Sequence, residues 1–263
     1  MSDLALSTAW RALRARGRTA LIPYLTAGHP TPQASLDALR RAAPYGDIIE
    51  VGVPFSDPLA DGPVIQRSTF TALQQGMTLA ATLALVAEAQ LGRPVVLFSY
   101  LNPIRRYGLP RFLQDAGRAG VTGLLLTDLP AGGDAGVEAA LAASPIDLIR
   151  LVAPTTPPAR IAATLVGARG FVYVVARLGV TGMSGAVAAD LGETVARVRA
   201  ATDLPVAVGF GISTAEQARQ VARLADGVVV GSAVVERIAR GGRRAVRAGR
   251  VRRFVASLSR AMR

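Results

Sequence analysis

Three carboxylates on one short stretch, Glu50, Asp57 and Asp61, are the clearest candidates for chemistry in this sequence. Glu50 interrupts an apolar β-type segment near its end, where burial would raise its pKa and suit it to proton transfer near neutral pH. An ion pair with an arginine from a neighbouring strand is the alternative. Asp57 and Asp61 follow on a loop rich in proline and glycine, where an Asx-turn or a helix cap competes with a catalytic role. Charge alone does not choose between these two.

Two glycine-containing turns follow late β-type segments and predict a phosphate site. Gly211 lies in the first turn, and Gly231 with Ser232 forms the second. Glycine lets the backbone approach an anion, and a helix that begins at Ser232 would direct free N–H groups towards it. Ordinary turn glycines are the alternative for each motif. The glycine-rich stretch 177–185 would add a further phosphate donor or a mobile lid.

Aromatic residues at strand ends predict the wall of a pocket. Tyr24, Tyr100 and Tyr173 each combine an apolar ring with a polar hydroxyl, although filling of the core is the rival explanation. His29 lies between Gly28 and Pro30, which favours a turn residue over a catalyst.

The reactive side chains that are missing exclude whole classes of chemistry. There is no cysteine and one histidine, and none of the 30 basic residues is a lysine. A Schiff-base aldolase, covalently held pyridoxal phosphate and thiolate chemistry are therefore excluded. A histidine-based metal site is disfavoured, although an all-carboxylate magnesium site is not. We expect no cofactor and no metal, which leaves carboxylate, hydroxyl and backbone chemistry.

The net charge of +12 is concentrated at the carboxyl end of the chain. Ten of the 30 arginines follow Glu236, and no acidic residue lies among them. Apolar residues recur there at helical spacing, which predicts a terminal helix docked by its apolar stripe rather than a nucleic-acid-binding arm. We expect no nucleic-acid partner. The residues of the stripe are Val251, Phe254, Val255, Leu258 and Met262.

The elements that must position these residues alternate between β-type and helical segments, which is typical of βαβ units. Eight such units favour a closed (β/α)8 TIM barrel over an open doubly wound sheet. The turn after the first β-type segment also lacks the glycine fingerprint of the open dinucleotide-binding sheet. The predicted β-type segments are 20–26, 47–52, 94–99, 123–127, 147–152, 171–175, 205–209 and 227–231.

We expect residues 1–263 to form a single domain with a leading helix in 1–17, the barrel in 18–240 and an arginine-rich helix in 241–263. No apolar stretch is long enough to cross a bilayer, and the first residues do not resemble a secretory signal. These features predict a cytoplasmic protein without membrane contact.

The sequence resembles the tryptophan synthase alpha subunit family over roughly residues 18 to 240. The longest similar stretch is 50–63, Glu-Val-Gly-Val-Pro-Phe-Ser-Asp-Pro-Leu-Ala-Asp-Gly-Pro. The similarity continues through 23–28, 100–104, 128–130, 179–182, 209–213 and 231–233.

This resemblance implies a lyase that cleaves indole-3-glycerol phosphate to indole and glyceraldehyde 3-phosphate without metal or cofactor. Glu50 matches the general acid/base and Asp61 matches the carboxylate that binds the indole N–H. The resemblance assigns supporting roles to Tyr173 and to the lid residue Thr181. Phosphate-binding positions are Gly182, Gly211, Gly231 and Ser232, and the predicted substrate pocket contains Tyr24, Tyr100, Leu125 and Thr127.

The family also implies a partner, a pyridoxal-phosphate β subunit in an α2β2 complex, with the loop that carries Asp57 and Asp61 near the contact. A free-standing indole-releasing lyase and a non-catalytic regulator of such a partner are the alternatives. The sequence departs from relatives at His29, where many carry aspartate, and at Tyr24, where some carry phenylalanine. After Arg240 it resembles nothing specific.

Overall fold

Eight parallel strands close into a barrel in chain order in the computed structural model, which describes residues 5–175, 185–209 and 211–263. The barrel closes where β1 pairs with β8, with Ala20 opposite Gly227. The prediction of a closed barrel is therefore confirmed and the open sheet is wrong. The strands are β1 Ala20–Thr26, β2 Ile49–Gly52, β3 Val95–Ser99, β4 Val121–Leu126, β5 Asp147–Val152, β6 Val172–Val175, β7 Val206–Gly209 and β8 Gly227–Val230.

β1 and β5 have the predicted bounds, and the ends of the other strands differ by at most two residues. β2 begins two residues later than predicted, and β4 begins two residues earlier, at Val121, which pairs with Val95 across an irregularity in the register of β3 and β4. The strands are nearly all buried on both faces, as expected when helices cover a parallel sheet.

Helices cover the outside of the barrel among the described residues. They are α1 Leu6–Ala15, α2 Pro32–Ala42, α3 Pro63–Gln74, α4 Leu79–Ala89, α5 Leu101–Tyr107, α6 Leu109–Arg118, α7 Ala135–Ala142, α8 Pro158–Thr164, α9 Gly185–Arg199, α10 Ala215–Ala222, α11 Ser232–Ala239 and α12 Arg244–Ala261. Several begin with clear caps; for example, Thr31 accepts a hydrogen bond from the Ala34 amide, and Pro32 occupies the first turn of α2.

The leading helix α1 closes the amino-terminal end of the barrel. Leu6, Trp10 and Leu13 are buried, and the Trp10 ring lies 5.6 Å from the Phe171 ring. Gly227 is required beneath the indole, since a Cβ at this position would lie 2.8 Å from Trp10. The opposite face is formed by the carboxyl ends of the strands and is called the mouth below.

The terminal helix α12 docks on α2, α10 and α11, as its apolar stripe predicts. Val251, Val255 and Leu258 are buried. Arginines also join α11 and α12. The Arg237 guanidinium of α11 stacks on the Phe254 ring of α12 at 3.4 Å, and Arg250 of α12 donates to the Arg240 carbonyl, just after α11, at 2.7 Å. Part of the basic charge therefore ties α12 to the end of α11.

None of the described helices is by itself long and apolar enough to cross a bilayer. Only α3 and α4 together meet the length and composition required, and they meet at a bend of 97°.

Candidate active site

Glu50 is the second residue of β2 and lies beside Tyr24 of β1 and Val96 of β3. It is buried, with 1% of its surface exposed, and its Oε1 atom has no hydrogen-bond partner among the residues that the structure describes. No arginine among the described residues forms an ion pair with it, so the structure does not support the ion-pair alternative. Burial, assisted by the charge of Asp61, raises the pKa of Glu50 to about 8. Glu50 is therefore a neutral acid at pH 7.

Asp61 lies at the end of the loop 53–62 that joins β2 to α3. The Tyr100 hydroxyl donates a hydrogen bond to its Oδ2 at 3.3 Å. Burial raises the pKa of Asp61 to about 6, and the bond from Tyr100 partly opposes this rise. Gln66 fastens the loop from α3 by donating to the Asp61 carbonyl at 2.9 Å.

The structure separates the two aspartates that charge and residue pattern alone left equivalent. Asp61 lines a cavity at the mouth, whereas Asp57 is exposed on the outer part of the loop and accepts a hydrogen bond from Ser56. The neighbouring Leu59 side chain is 91% exposed. The outer part of the loop therefore faces solvent while its end reaches the site.

The mouth cavity has a volume of about 130 Å³ and contains both Glu50 and Asp61. Apolar side chains and residues of the glycine-containing turns line it together with these carboxylates. The residues that line it are Tyr24, Glu50, Asp61, Ile65, Phe98, Tyr173, Gly211, Ile212, Ser213, Val229, Gly231, Ser232, Ala233 and Glu236.

Two tyrosines lie across strand-terminal glycines. A Cβ at Gly52 of β2 would collide with the Tyr24 hydroxyl, and a Cβ at Gly209 of β7 would collide with that of Tyr173. Each tyrosine therefore leans over the neighbouring strand, which keeps both hydroxyls inside the mouth. Burial raises the pKa of both tyrosines well above the ordinary value, so they remain neutral.

Buried hydroxyls connect Tyr24 to α3. The Thr26 hydroxyl donates to the Tyr24 hydroxyl oxygen at 3.4 Å and shares a 2.7 Å hydrogen bond with the Ser68 hydroxyl. Ser68 also donates to the Ile65 carbonyl at 2.7 Å. The chain of hydrogen bonds runs from the cavity wall to the helix that follows Asp61.

The glycine turns lie where the sequence predicts. Gly211 has a φ of +76°, which favours glycine, and Ser232 begins α11 directly after Gly231. The first intrahelical bond comes from the Val234 amide to the Gly231 carbonyl, so the amides of Ser232 and Ala233 have no partner within the helix. Ser232 and Ala233 line the cavity, and free amides at the start of a helix are suited to receive an anion.

The remaining predicted residues are distributed differently. Tyr100 reaches the site through Asp61, and Leu125 is fully buried inside the barrel. Thr127 lines a neighbouring cavity of about 310 Å³ between β4 and α8. Thr181 and Gly182 lie outside the described residues. His29 is buried in its turn, away from the lining of the mouth cavity.

Residues that sequence reasoning missed include the apolar wall and one acid. Ile65, Phe98 and Val229 look like ordinary core residues, and only the topology reveals that they face the cavity. Glu236 had a readable signal, because it follows Ser232 by four residues and so shares its helix face. Among the described residues, no group of three or more histidine, cysteine or acidic side chains is arranged to hold a metal ion.

A closed barrel with two carboxylates of raised pKa and the start of a helix at its mouth defines a (β/α)8-barrel enzyme. The family model described as tryptophan synthase alpha chain matches residues 10–262. Accordingly, the chain belongs to the tryptophan synthase alpha chain family. It is a lyase that cleaves indole-3-glycerol phosphate, and it serves tryptophan biosynthesis as an alpha subunit.

Solved structures agree with the family. A tryptophan synthase structure from Mycobacterium tuberculosis is 41% identical, with a TM-score of 0.88 and coverage of 98% of each chain. Tryptophan synthase subunit alpha from Legionella pneumophila is 33% identical, with a TM-score of 0.85 and coverage of 98% of this chain and 97% of the other. A chain from Aquifex aeolicus is 32% identical, with a TM-score of 0.87 and coverage of 98% of each chain. The resemblance seen in the sequence is confirmed.

Proposed function

We propose that Glu50 is the general acid and base of the cleavage and that Asp61 stabilises the charge that develops on the indole ring. The observation that carries this proposal is the buried Glu50 carboxyl, which lines the mouth cavity and has a pKa raised to about 8. Its Oε1 atom has no hydrogen-bond partner within the described part of the chain. Such a group is protonated at neutral pH, yet becomes a strong base for a carboxylate once it has donated its proton.

The steps balance with these two residues alone. Glu50 donates its proton to carbon C3 of the indole ring, and the ring nitrogen gains positive charge that the Asp61 carboxylate stabilises. The Glu50 carboxylate then removes the proton from the hydroxyl on the adjacent side-chain carbon. The bond between this carbon and C3 breaks, its electrons return to the ring, and an aldehyde forms. Indole and glyceraldehyde 3-phosphate result, with Glu50 protonated again.

We assign the surrounding residues from their places at the cavity. Tyr24 and Tyr173 hold the ring between apolar faces, and Tyr100 orients Asp61. The backbone at Gly211, together with Gly231 and Ser232, binds the phosphate through the start of α11. Leu125 and Thr127 form the outer part of the substrate pocket in this proposal.

Replacement of Glu50 tests the assignment. We expect Glu50→Gln to lower indole release from indole-3-glycerol phosphate by at least a thousandfold while inorganic phosphate still binds. Asp57→Asn is the matched control, since this carboxylate lies outside the cavity and its loss should leave indole release by the isolated chain near wild type. Turnover by Glu50→Gln at the wild-type rate would refute the role of Glu50.

We further propose that the chain acts in the cytoplasm as one domain, residues 1–263, within an α2β2 complex with a pyridoxal-phosphate β subunit. The exposed outer loop with Asp57 and Leu59, beside the mouth, supports a contact that passes indole to this partner. The chain has no lysine, so the cofactor would be held by the partner.

Indole release measured with and without the β subunit separates this proposal from the free-standing lyase. We expect stimulation of at least tenfold, together with co-elution of both chains. High activity without any partner effect would instead support the free-standing enzyme. Glu50 is buried and Asp61 half-buried, and both line the cavity, which favours catalysis over a purely regulatory role.

A further inference from the structure

The acid Glu236 lies at the edge of the proposed phosphate site, where an anionic substrate would meet an anionic side chain. It lines the mouth cavity together with Gly231 and Ser232 and is exposed to solvent. Ser232 and Glu236 are four residues apart on α11, so they lie one above the other on the same helix face. The Glu236 carboxylate is thus one helical turn from the amides that face the phosphate.

Nothing among the described residues neutralises this carboxylate by a direct ion pair. The charge of the adjacent Arg237 interacts with that of Glu236, but the Arg237 guanidinium makes its direct contacts with other groups. It donates to the Ala233 carbonyl at 2.7 Å and stacks on the Phe254 ring. The described lining of the cavity contains no arginine. Phosphate binding there rests on backbone amides, hydroxyls and the helix dipole, without a cationic side chain from this part of the chain.

We propose that Glu236 is a specificity-determining residue that weakens binding of phosphate dianions at the mouth cavity and thereby limits retention of the phosphorylated product. A phosphate monoester carries close to two negative charges at neutral pH, so its repulsion by a carboxylate is nearly twice that felt by a singly charged anion. Both the substrate and glyceraldehyde 3-phosphate carry this group, whereas indole does not. The inference rests on the phosphate site of the proposed function.

A charge series at one position tests the proposal with inorganic phosphate as the calorimetric probe. We expect Glu236→Gln to bind phosphate about fivefold more tightly and Glu236→Lys to add a further factor of similar size. This is the size expected for one unit charge that acts on the bound phosphate from a solvent-exposed position. The KM for indole-3-glycerol phosphate and the product-inhibition constant of glyceraldehyde 3-phosphate should fall in parallel. The affinity for indole should not change.

Two comparisons show that the effect arises from local charge. The ratio of variant to wild-type affinity should shrink at high salt, because ions screen the exposed carboxylate. Glu88→Gln removes the same charge from the exposed end of α4, outside the cavity, and should leave phosphate affinity unchanged. Equal phosphate affinity with Glu, Gln and Lys at position 236 would overturn the proposal.

A further variant distinguishes failure of this inference from failure of the phosphate site itself. Ser232→Asp places a carboxylate at the start of α11 and should raise the KM for the substrate at least a hundredfold if the phosphate binds there. If Ser232→Asp raises the KM strongly while phosphate affinity is the same with Glu, Gln and Lys at position 236, only the role of Glu236 is overturned. If neither position affects phosphate binding, both the site and the inference are wrong.

Discussion

The Tyr100 hydroxyl holds the Asp61 carboxylate from the end of the neighbouring β3, through a hydrogen bond of 3.3 Å. The same hydroxyl oxygen accepts a bond of 3.0 Å from the Ala60 amide. One phenol therefore fixes both the backbone of the loop and the carboxylate at its end. The arrangement explains why Asp61, rather than Asp57, reaches the cavity.

Removal of this hydroxyl should loosen Asp61 and raise its pKa. For Tyr100→Phe we expect about a tenfold lower kcat/KM, because Asp61 and the Ala60 amide lose a partner. The acidic limb of the pH profile should also move to higher pH, since the bond from Tyr100 lowers the pKa of Asp61. Steady-state indole release across pH measures both effects. Tyr107→Phe, which removes a hydroxyl from α5 outside the cavity, is the control.

The activity of the chain should follow a bell-shaped dependence on pH. Activity requires ionised Asp61, with a pKa of about 6, and protonated Glu50, with a pKa of about 8. The rate should therefore fall below pH 6 and again above pH 8, with apparent values that belong to the coupled pair. The kcat/KM profile of the isolated chain tests this. A rate that keeps rising well above pH 8 would contradict the role of Glu50 as the acid.

The same carboxyl should lower the stability of the folded chain at neutral pH. An unfolded Glu50 ionises near its ordinary pKa of 4.5, whereas the folded residue stays protonated up to about pH 8. The unfolded state therefore releases a proton first, and stability declines as pH rises from 4.5 towards 8. Glu50→Gln removes this effect and should raise the free energy of unfolding at pH 7 by about 3 kcal/mol.

Urea denaturation at pH 4 and pH 7 checks this prediction. The gain from Glu50→Gln should be small at pH 4, where both folded and unfolded states are protonated. Glu88→Gln, on an exposed surface, should show no such pH-dependent gain. An equal gain at both pH values would point to packing rather than ionisation.

The glycine at the end of β7 should be essential because of Tyr173. In Gly209→Ala, the new methyl group collides with the Tyr173 hydroxyl, so the ring must move within the cavity wall. We expect indole release to fall about tenfold or more, with a loss of stability of about 1–3 kcal/mol. Tyr173→Phe should partly rescue Gly209→Ala, because it removes the atom that collides first. Strictly additive losses in this double-mutant cycle would show that the two positions act independently.

The sequence predicts the barrel because its signals are local: apolar β-type runs separated by helical periodicity identify all eight strands. Glu50 was recognisable for the same reason, as a charge within an apolar strand. The roles of Gly52 and Gly209 could not be predicted, because they depend on a tyrosine that only the register of the next strand brings close. Charge and residue pattern did not distinguish Asp57 from Asp61; the family resemblance selected Asp61, and the contact with Tyr100 supplies the physical reason.

Helix α1, which closes the amino-terminal end of the barrel, carries a natural fluorescent probe. Trp10 is the one tryptophan in the sequence, and it is buried between α1, Phe171 and Gly227. Its fluorescence therefore reports on the packing of α1 against the amino-terminal end of the barrel, opposite the mouth cavity. Indole and its glycerol phosphate share the chromophore of Trp10 and would add their own emission, but inorganic phosphate neither absorbs nor emits there. A change of the Trp10 emission on phosphate binding at the mouth would therefore be transmitted through the barrel.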